Sequence, residues 1–214
     1  MLYDLAKRVV DILGSIFGLV LLSPFLLIIA IAIIFDSRGP IFADTPQRVG
    51  KGGKLFKMYK FRSMFIGAHD ILHNNPKYKD LLEKYKKNSY KLAIGEDPRI
   101  TRVGKFLRRT SIDELPQLIN IFKGEMSLVG PRAYYPFELE EQQIKHPESR
   151  KYVKIILAGK PGLTGLWQVS GRSGINFDKR VKIDAEYIIR HSILLDFLII
   201  LKTIPAVLSG KGAV

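Results

Sequence analysis

The sequence predicts a mainly α-helical protein with one small β-hairpin, an α+β chain, and three observations lead there. Residues Ile12 to Phe35 form a run of 24 residues without a charged side chain, which as a helix reaches about 36 Å. "YKDLLEKYKKNSYKLAIG" and the segment Ile188 to Leu208 mix apolar residues with charges in the manner of helices lying on an interface or against a core. "GKGG" stands between two apolar and aromatic stretches, as the turn of a hairpin does.

The apolar run justifies a membrane helix with a particular path. A signal peptide is the first competitor, since Lys7 and Arg8 precede the run, but the run is too long and "FDSRGP" offers no small-residue cleavage site. Ser23-Pro24 lies in its middle. Pro24 cannot donate to the carbonyl of Val20, a loss of roughly 3 kcal/mol in a helix interior unless the freed group finds another partner. The Ser23 hydroxyl is placed to supply one. Basic residues flank both ends, Lys7 and Arg8 before the run and Arg38, Arg48, Lys51 and Lys54 after it. Both flanks therefore read as cytoplasmic. A re-entrant helix over residues 1–38, broken at Ser23-Pro24 and entering and leaving by one face, satisfies both facts; an ordinary spanning helix with a tolerated kink is the alternative. Residues 39–214 then form one integrated domain facing the cytoplasm.

Within that domain, "GPIFADTPQRVGKGGKLFKMYKFRSM" predicts the hairpin, and its polar positions are largely cationic. Residues 66–95 predict a helix or helix pair interrupted at Pro76, with lysines on a solvated or headgroup-facing side. Ile188 to Leu208 is interrupted by Arg190, His191, Asp196 and Lys202, which suits an interfacial helix better than a second span.

A net charge of +14 and a pI near 9.9 imply an anionic partner, and the sign alone does not choose among nucleic acid, phosphorylated metabolites and anionic lipid. The absence of cysteine excludes disulfides, thiolate zinc sites and thiol catalysis. His69 and His73 share a helical spacing, but "AHDILHNNP" lacks the Glu of a zinc protease motif.

The stretch "DPRITRVGKFLRRTSIDELPQLINIFKGEMSLVGPR" carries the densest chemistry. Arg99, Arg102, Lys105, Arg108 and Arg109 precede the adjacent acids Asp113 and Glu114, and Arg132 follows at a glycine-proline turn. Spacing alone favours a structural job: Ser111 to Glu114 has the pattern of a capping box opening the helix "ELPQLINIF", and Thr110 to Asp113 offers a similar cap. The other reading is chemical. Guanidinium groups favour the ionised form of a neighbouring carboxylate and hold phosphate oxygens in pairs, and an acid that both binds Mg²⁺ and attacks phosphorus forms an aspartyl-phosphate type of intermediate. In "KPGLTGLWQVSGRSG", Trp167, Gln168 and Arg172 sit in a glycine-punctuated loop of the kind that binds a planar, phosphorylated ligand, although a lone Trp more often packs.

Together, "KRVVDILGSIFGLVLLSPFLL", "RVGKGGKLFKMYKFRSM", the acid-bearing stretch above, "PGLTGLWQVSGR" and the terminal "LKTIPAVLSGKGA" resemble the bacterial sugar transferases, the monotopic phosphoglycosyl transferases, in that family's order and over nearly the whole chain. The resemblance implies transfer of a hexose-1-phosphate from a UDP-sugar to undecaprenyl (polyprenyl) phosphate at the bacterial inner membrane, as the first membrane step of glycoconjugate synthesis. It implies Asp113 as the nucleophile on the β-phosphate, with UMP expelled, Glu114 as its dyad partner, Mg²⁺ at Asp113, and Lys60, Arg62, Arg108 and Arg132 as phosphate holders. It further implies that "GLWQVSGR", with Gln168 and Arg172, helps hold the UDP-sugar. The expected partners are these two substrates and anionic lipid headgroups, not nucleic acid, with homo-oligomerisation left open.

The chain departs from the pattern at Ala133, where the family often has a second proline after "GPR". Longer relatives carry further N-terminal helices and a domain, which leaves a natural short form or an excised catalytic portion. The sugar and the pathway stay open, and two other functions compete: a non-enzymatic basic membrane module, and a membrane-anchored phosphohydrolase.

Overall fold

The computed structural model describes residues 2–88, 92–171 and 174–209, apart from the side chains of His69 and Leu208. Helix α1 runs over Leu2–Asp36 and is long and apolar enough to cross a membrane by length and composition. It continues through Ser23-Pro24 instead of stopping there. The Ser23 hydroxyl donates to the Val20 carbonyl at 2.8 Å, the acceptor that Pro24 leaves without its usual donor. Of its side chains only Asp11, Ser15, Ile29 and Ile33 are buried, while Phe17, Leu21, Leu27 and Phe35 are exposed.

Both ends of α1 are fastened to the same folded body. Near the start, Arg8 donates to the carbonyls of Ile121 and Phe122, both at 2.8 Å, and the Asp11 carboxylate accepts from the Ser127 hydroxyl and the Leu128 N–H, both at 2.9 Å. At the far end the Asp36 carboxylate accepts from the Val103 N–H at 3.0 Å. The two sides of Ser23-Pro24 also enter different parts of the core: Leu19 packs with Leu118, Ile121 and Met126, whereas Ile29 and Ile33 pack with Phe61 and Leu107.

The hairpin forms where expected, as β1 (Arg48–Val49) antiparallel to β2 (Leu55–Phe56) around a 3₁₀ turn at Lys51–Gly53. Left-handed Gly52 and Gly53 make that turn. Chain on either side stays extended, with Phe42 bridging Phe61. The segment after the hairpin is interrupted at Pro76 as expected, giving α2 (Ala68–Asn74) and α3 (Lys79–Lys87).

Four helices and a second strand pair build the centre. These are α4 (Arg102–Thr110), α5 (Gln117–Lys123), α6 (Pro136–Lys145) and α7 (Arg150–Ile156), with β3 (Ser127–Val129) parallel to β4 (Gly162–Thr164). This parallel pair was not foreseen: three-residue strands carry no readable alternation, and their partnership joins distant segments. Gly130 follows from it, because a Cβ there would lie 2.4 Å from the Lys160 carbonyl oxygen.

The chain closes with α8 (Leu166–Ser170), α9 (Phe177–Arg190) and α10 (Ile193–Leu208). The apolar segment from Ile188 onward is thus corrected from one helix to parts of two. The break falls at His191-Ser192, where the Ser192 hydroxyl accepts from the Leu195 N–H at 3.1 Å and starts α10 afresh. Helix α10 resembles α1 in exposing Leu194, Phe197, Leu198 and Leu201, and Lys7 joins the two through Asp196 at 2.6 Å.

Candidate active site

The acids are placed by the way α4 ends. Thr101 opens that helix by accepting from the Gly104 N–H at 3.0 Å, and Ser111 closes it in the left-handed region at φ 57°. This reversal feeds a single 3₁₀ turn, Ile112–Glu114, so Asp113 and Glu114 follow Arg108 directly. The expected capping box is absent. Helix α5 starts at Gln117 after Pro116, no side chain caps either turn, and the Thr110 hydroxyl bonds back to the Phe106 carbonyl at 2.8 Å. The physical reason is local: a left-handed Ser111 terminates the preceding helix, and Pro116 without an N–H begins the next. Neither acid is consumed as a cap.

Lys60 is brought to them by the extended chain after β2. Asn120 of α5 holds that chain, accepting from the Tyr59 N–H and donating to the Lys57 carbonyl, both at 2.8 Å. The Phe61 N–H then donates to the Asp113 carbonyl at 2.9 Å. The Lys60 ammonium lies 2.6 Å from Glu114 Oε1 and 3.8 Å from Asp113 Oδ2.

This geometry separates the two carboxyls. Burial pushes the Asp113 carboxyl above its ordinary range, opposed by the Lys60 charge. Burial acts on Glu114 in the same direction, but Lys60, through both charge and hydrogen bond, and then Arg132 and Arg48 hold it below the usual carboxylate range. The expectation that surrounding cations favour the ionised acid thus holds for Glu114 and is corrected for Asp113, where desolvation outweighs them.

The remaining sequence-predicted residues divide. Arg108 reaches the site from the last turn of α4, with Nε on the Ser63 hydroxyl at 2.9 Å. Arg132 lies 5.4 Å from the Trp167 ring and 5.9 Å from the Tyr134 ring, and Gln168 lines the same cavity. Arg62 lines that cavity too, and its guanidinium donates to the carbonyls of Ile33, Ser37, Gly39 and Pro40 and to the Ser37 hydroxyl. That is a cap on the end of α1. Arg172 lies outside the described residues.

A buried polar cluster behind Arg132 was missed. Asp184 of α9 accepts from the Arg132 N–H at 3.0 Å and the Tyr134 hydroxyl at 3.2 Å, and burial pushes its carboxyl up to about 7. Arg180 and Glu138, both fully buried, face each other at 3.8 Å. The signal was present in "FDKRVKIDAEYIIR": Phe177, Arg180, Val181, Asp184 and Ala185 recur at helical spacing on the buried side, so two charges occupy core positions.

Lys60, Arg62, Arg108, Asp113, Glu114, Arg132 and Gln168 share one cavity of ≈ 1300 Å³, room for a ligand of nucleotide-sugar size. The four cations among these residues and the two acids suit it to an anionic ligand beside a potential nucleophile. Among the described residues, no three His, Asp or Glu side chains gather as a metal centre. Mg²⁺ is commonly held by one or two carboxylates completed by substrate phosphates and water, so Asp113 and an incoming diphosphate match its donor set.

Residues 2–210 match the family model for bacterial sugar transferases. The chain belongs to the bacterial sugar transferase family. This sugar transferase is 43% identical over 210 residues to galactosyl transferase CpsE of Streptococcus agalactiae, covering 98% of the present chain and 43% of the relative. It is 42% identical to the undecaprenyl-phosphate galactose phosphotransferase of Salmonella typhimurium, covering 97% of the present chain and 41% of that protein. The exopolysaccharide production protein ExoY of Sinorhizobium fredii is 39% identical and matched over 88% of its length. The sugar transferase chain thus spans about two fifths of the first two relatives and most of the third.

Proposed function

We propose that this sugar transferase moves a sugar-1-phosphate from a UDP-sugar to polyprenyl phosphate and releases UMP. The observation that carries the reading is Lys60, a single ammonium set between two adjacent acids that no helix cap occupies. An Asp113 oxygen attacks the phosphorus bearing the sugar, and the bond from that phosphorus to the UMP oxygen breaks. The lipid phosphate oxygen then attacks the same phosphorus, and Asp113 leaves as a carboxylate. Glu114 keeps Lys60 oriented at the dyad, and Arg108 and Arg132 face the phosphate oxygens. Asp113 with the diphosphate would hold Mg²⁺, which supplies charge neutralisation on the transferring group.

The membrane placement belongs to the same proposal: α1, helical throughout, bends at Ser23-Pro24 within one leaflet and returns, with the site on the cytoplasmic face. Support comes from the fastening of both α1 ends to the catalytic body, from cationic flanks on both sides, and from the exposed apolar side chains between them.

The test is UMP release across a panel of UDP-sugars, headed by UDP-galactose after the relatives' names, with Mg²⁺ and polyprenyl phosphate. Asp113→Asn is expected to abolish turnover, and a variant that turned over normally sinks the assignment. Sustained release that needed no lipid acceptor assigns the protein to phosphate hydrolysis instead.

A further inference from the structure

Arg48 of β1 lines the cavity that holds the acids, and the transfer chemistry leaves it without a part. It is 6% exposed, and two contacts fix its plane. The guanidinium carbon lies 3.2 Å from the centre of the Tyr135 ring, which stacks in turn on Phe137 at 4.8 Å and 13°. Nη1 donates to the Ala133 carbonyl at 3.1 Å. The other edge, Nε and Nη2, has no partner among the described residues, and Nε is buried. Arg99 shows what such an edge takes: its Nε and Nη2 grip the two oxygens of Asp97 at 2.8 and 2.7 Å. Arg48 presents the same two donors, held in a fixed plane, and no carboxylate of the described residues pairs with them. A buried guanidinium edge left unpaired costs stability until a ligand with two anionic oxygens completes it.

The cations are ordered along the two acids. Lys60 and Arg108 are the charges that act most on Asp113, whereas Arg132 and Arg48 join Lys60 in acting on Glu114. An in-line displacement sets the attacking and leaving oxygens on opposite sides of the reacting phosphorus. With Asp113 attacking, the departing phosphate lies away from Asp113, toward the cations that act on Glu114. We infer that the Nε–Nη2 edge of Arg48 holds the phosphate that leaves with UMP. The inference rests on the proposed function and adds a substrate-touching residue to it. As the bond from the sugar-bearing phosphorus to the bridging oxygen breaks, its electron pair stays on the UMP oxygen, and the two Arg48 donors meet the charge that develops on that phosphate. Tyr135 is the positioning residue: its ring already holds the guanidinium flat, so little freedom is lost when the phosphate arrives.

The experiment uses the full chain in vesicles of phosphatidylethanolamine and phosphatidylglycerol, with UMP titrated by calorimetry and uridine measured by its displacement of UMP. Arg48→Gln and Arg48→Lys are each expected to weaken UMP roughly tenfold or more, the lysine variant because it keeps the charge and loses the paired edge, with uridine affinity unchanged in both. The UMP burst from UDP-sugar without acceptor is expected to slow by a similar factor. Tyr135→Leu keeps Arg48 and removes its platform; it is expected to weaken UMP roughly threefold or more with uridine again unchanged, and it decides the matter if the Arg48 variants fail to fold. UMP affinity within twofold of the unaltered protein in the folded variants overturns the inference, because the edge would then hold no leaving phosphate. Equal weakening of UMP and uridine also overturns it, as the mark of a general disturbance of the cavity. A protein that binds UMP through Arg48 but releases no UMP from any UDP-sugar sinks the transferase reading and leaves the phosphate edge standing.

Discussion

The ammonium of Lys60 sits 2.6 Å from a Glu114 oxygen and 3.8 Å from an Asp113 oxygen, so one cation serves two neighbouring acids unequally. Glu114 is held ionised and Asp113 is left as the member that protonates first. Replacing Lys60 with Met removes the charge that depresses Glu114, whose pKa must rise. The acid limb of the pH–rate profile is expected to move to higher pH, and kcat/KM to fall roughly 10²–10³-fold. A profile that kept its acid limb in place would refute this division of labour.

Asp113→Asn is expected to stabilise the protein while ending its activity. A carboxyl whose folded pKa is raised favours the fold while protonated and loses that contribution as pH rises through the folded value. At neutral pH the buried Asp113 carboxyl therefore costs stability, and Asn removes the cost. A gain of about 0.5–2 kcal/mol is expected, or roughly 2–4 °C in Tm per kcal/mol. The two melting curves should converge in acid, below the ordinary carboxylate pKa.

Arg62 and Arg108 are predicted to fail in different ways. Arg62→Gln unties the last carbonyls of α1 and is expected to cost about 1–3 kcal/mol, with faster proteolysis near Ser37. Arg108→Gln is expected to raise the UDP-sugar KM roughly tenfold or more with little change in Tm. The same readouts on both variants, melting and initial rates, decide the assignment.

Gly104 lies where α4 crosses the chain at Ser63, and a Cβ would sit 2.0 Å from the Ser63 carbonyl oxygen. Gly104→Ala must push the helix away, costing about 1–3 kcal/mol. Because Ser63 also receives Arg108 Nε, the loss in melting temperature is expected to come with a raised donor KM.

Asp184, pushed up to about 7 by burial, titrates near neutrality. Its contribution favours the fold while it is protonated and is lost as pH rises from about 4 toward 7. Asp184→Asn keeps an oxygen for the Arg132 N–H and removes the titration. Its Tm should vary less with pH between 4.5 and 8 than that of the unaltered protein, with activity retained, whereas Asp184→Ala is expected to lose activity through a loosened Arg132 turn.

The local signals were legible: the uncharged run, the Ser23 to Val20 bond, the hairpin at "GKGG" and the interruption at Pro76 all follow from short-range rules. Asp113, Glu114, Lys60, Arg108 and Arg132 line one cavity. Signals failed where a motif had two uses. Ser111 to Glu114 spells a capping box, yet a left-handed Ser111 and Pro116 turn it into the hinge that presents the acids. Arg62 lines the cavity of the acids and also ties down the end of α1, a second use that its motif position does not reveal. The pairing of β3 with β4 and the Asp184 contact to Arg132 depend on which distant segments meet, and no local periodicity encodes that.

The Lys7 to Asp196 clasp joins residues 189 positions apart, and this sets an order of assembly. At translation rates of 5–20 residues per second, α10 follows the start of α1 by roughly 10–40 s. Throughout that interval α1 must sit in the membrane or on a chaperone with Lys7 unpaired. Asp11 meets β3 sooner, so the region around the acids forms on a half-anchored helix and the clasp closes late. Substitutions at Asp196 should then leave α1 held by Arg8 and Asp11 but open at Tyr3 and Lys7, recognisable by faster proteolysis at the start of α1 with α5 unaffected.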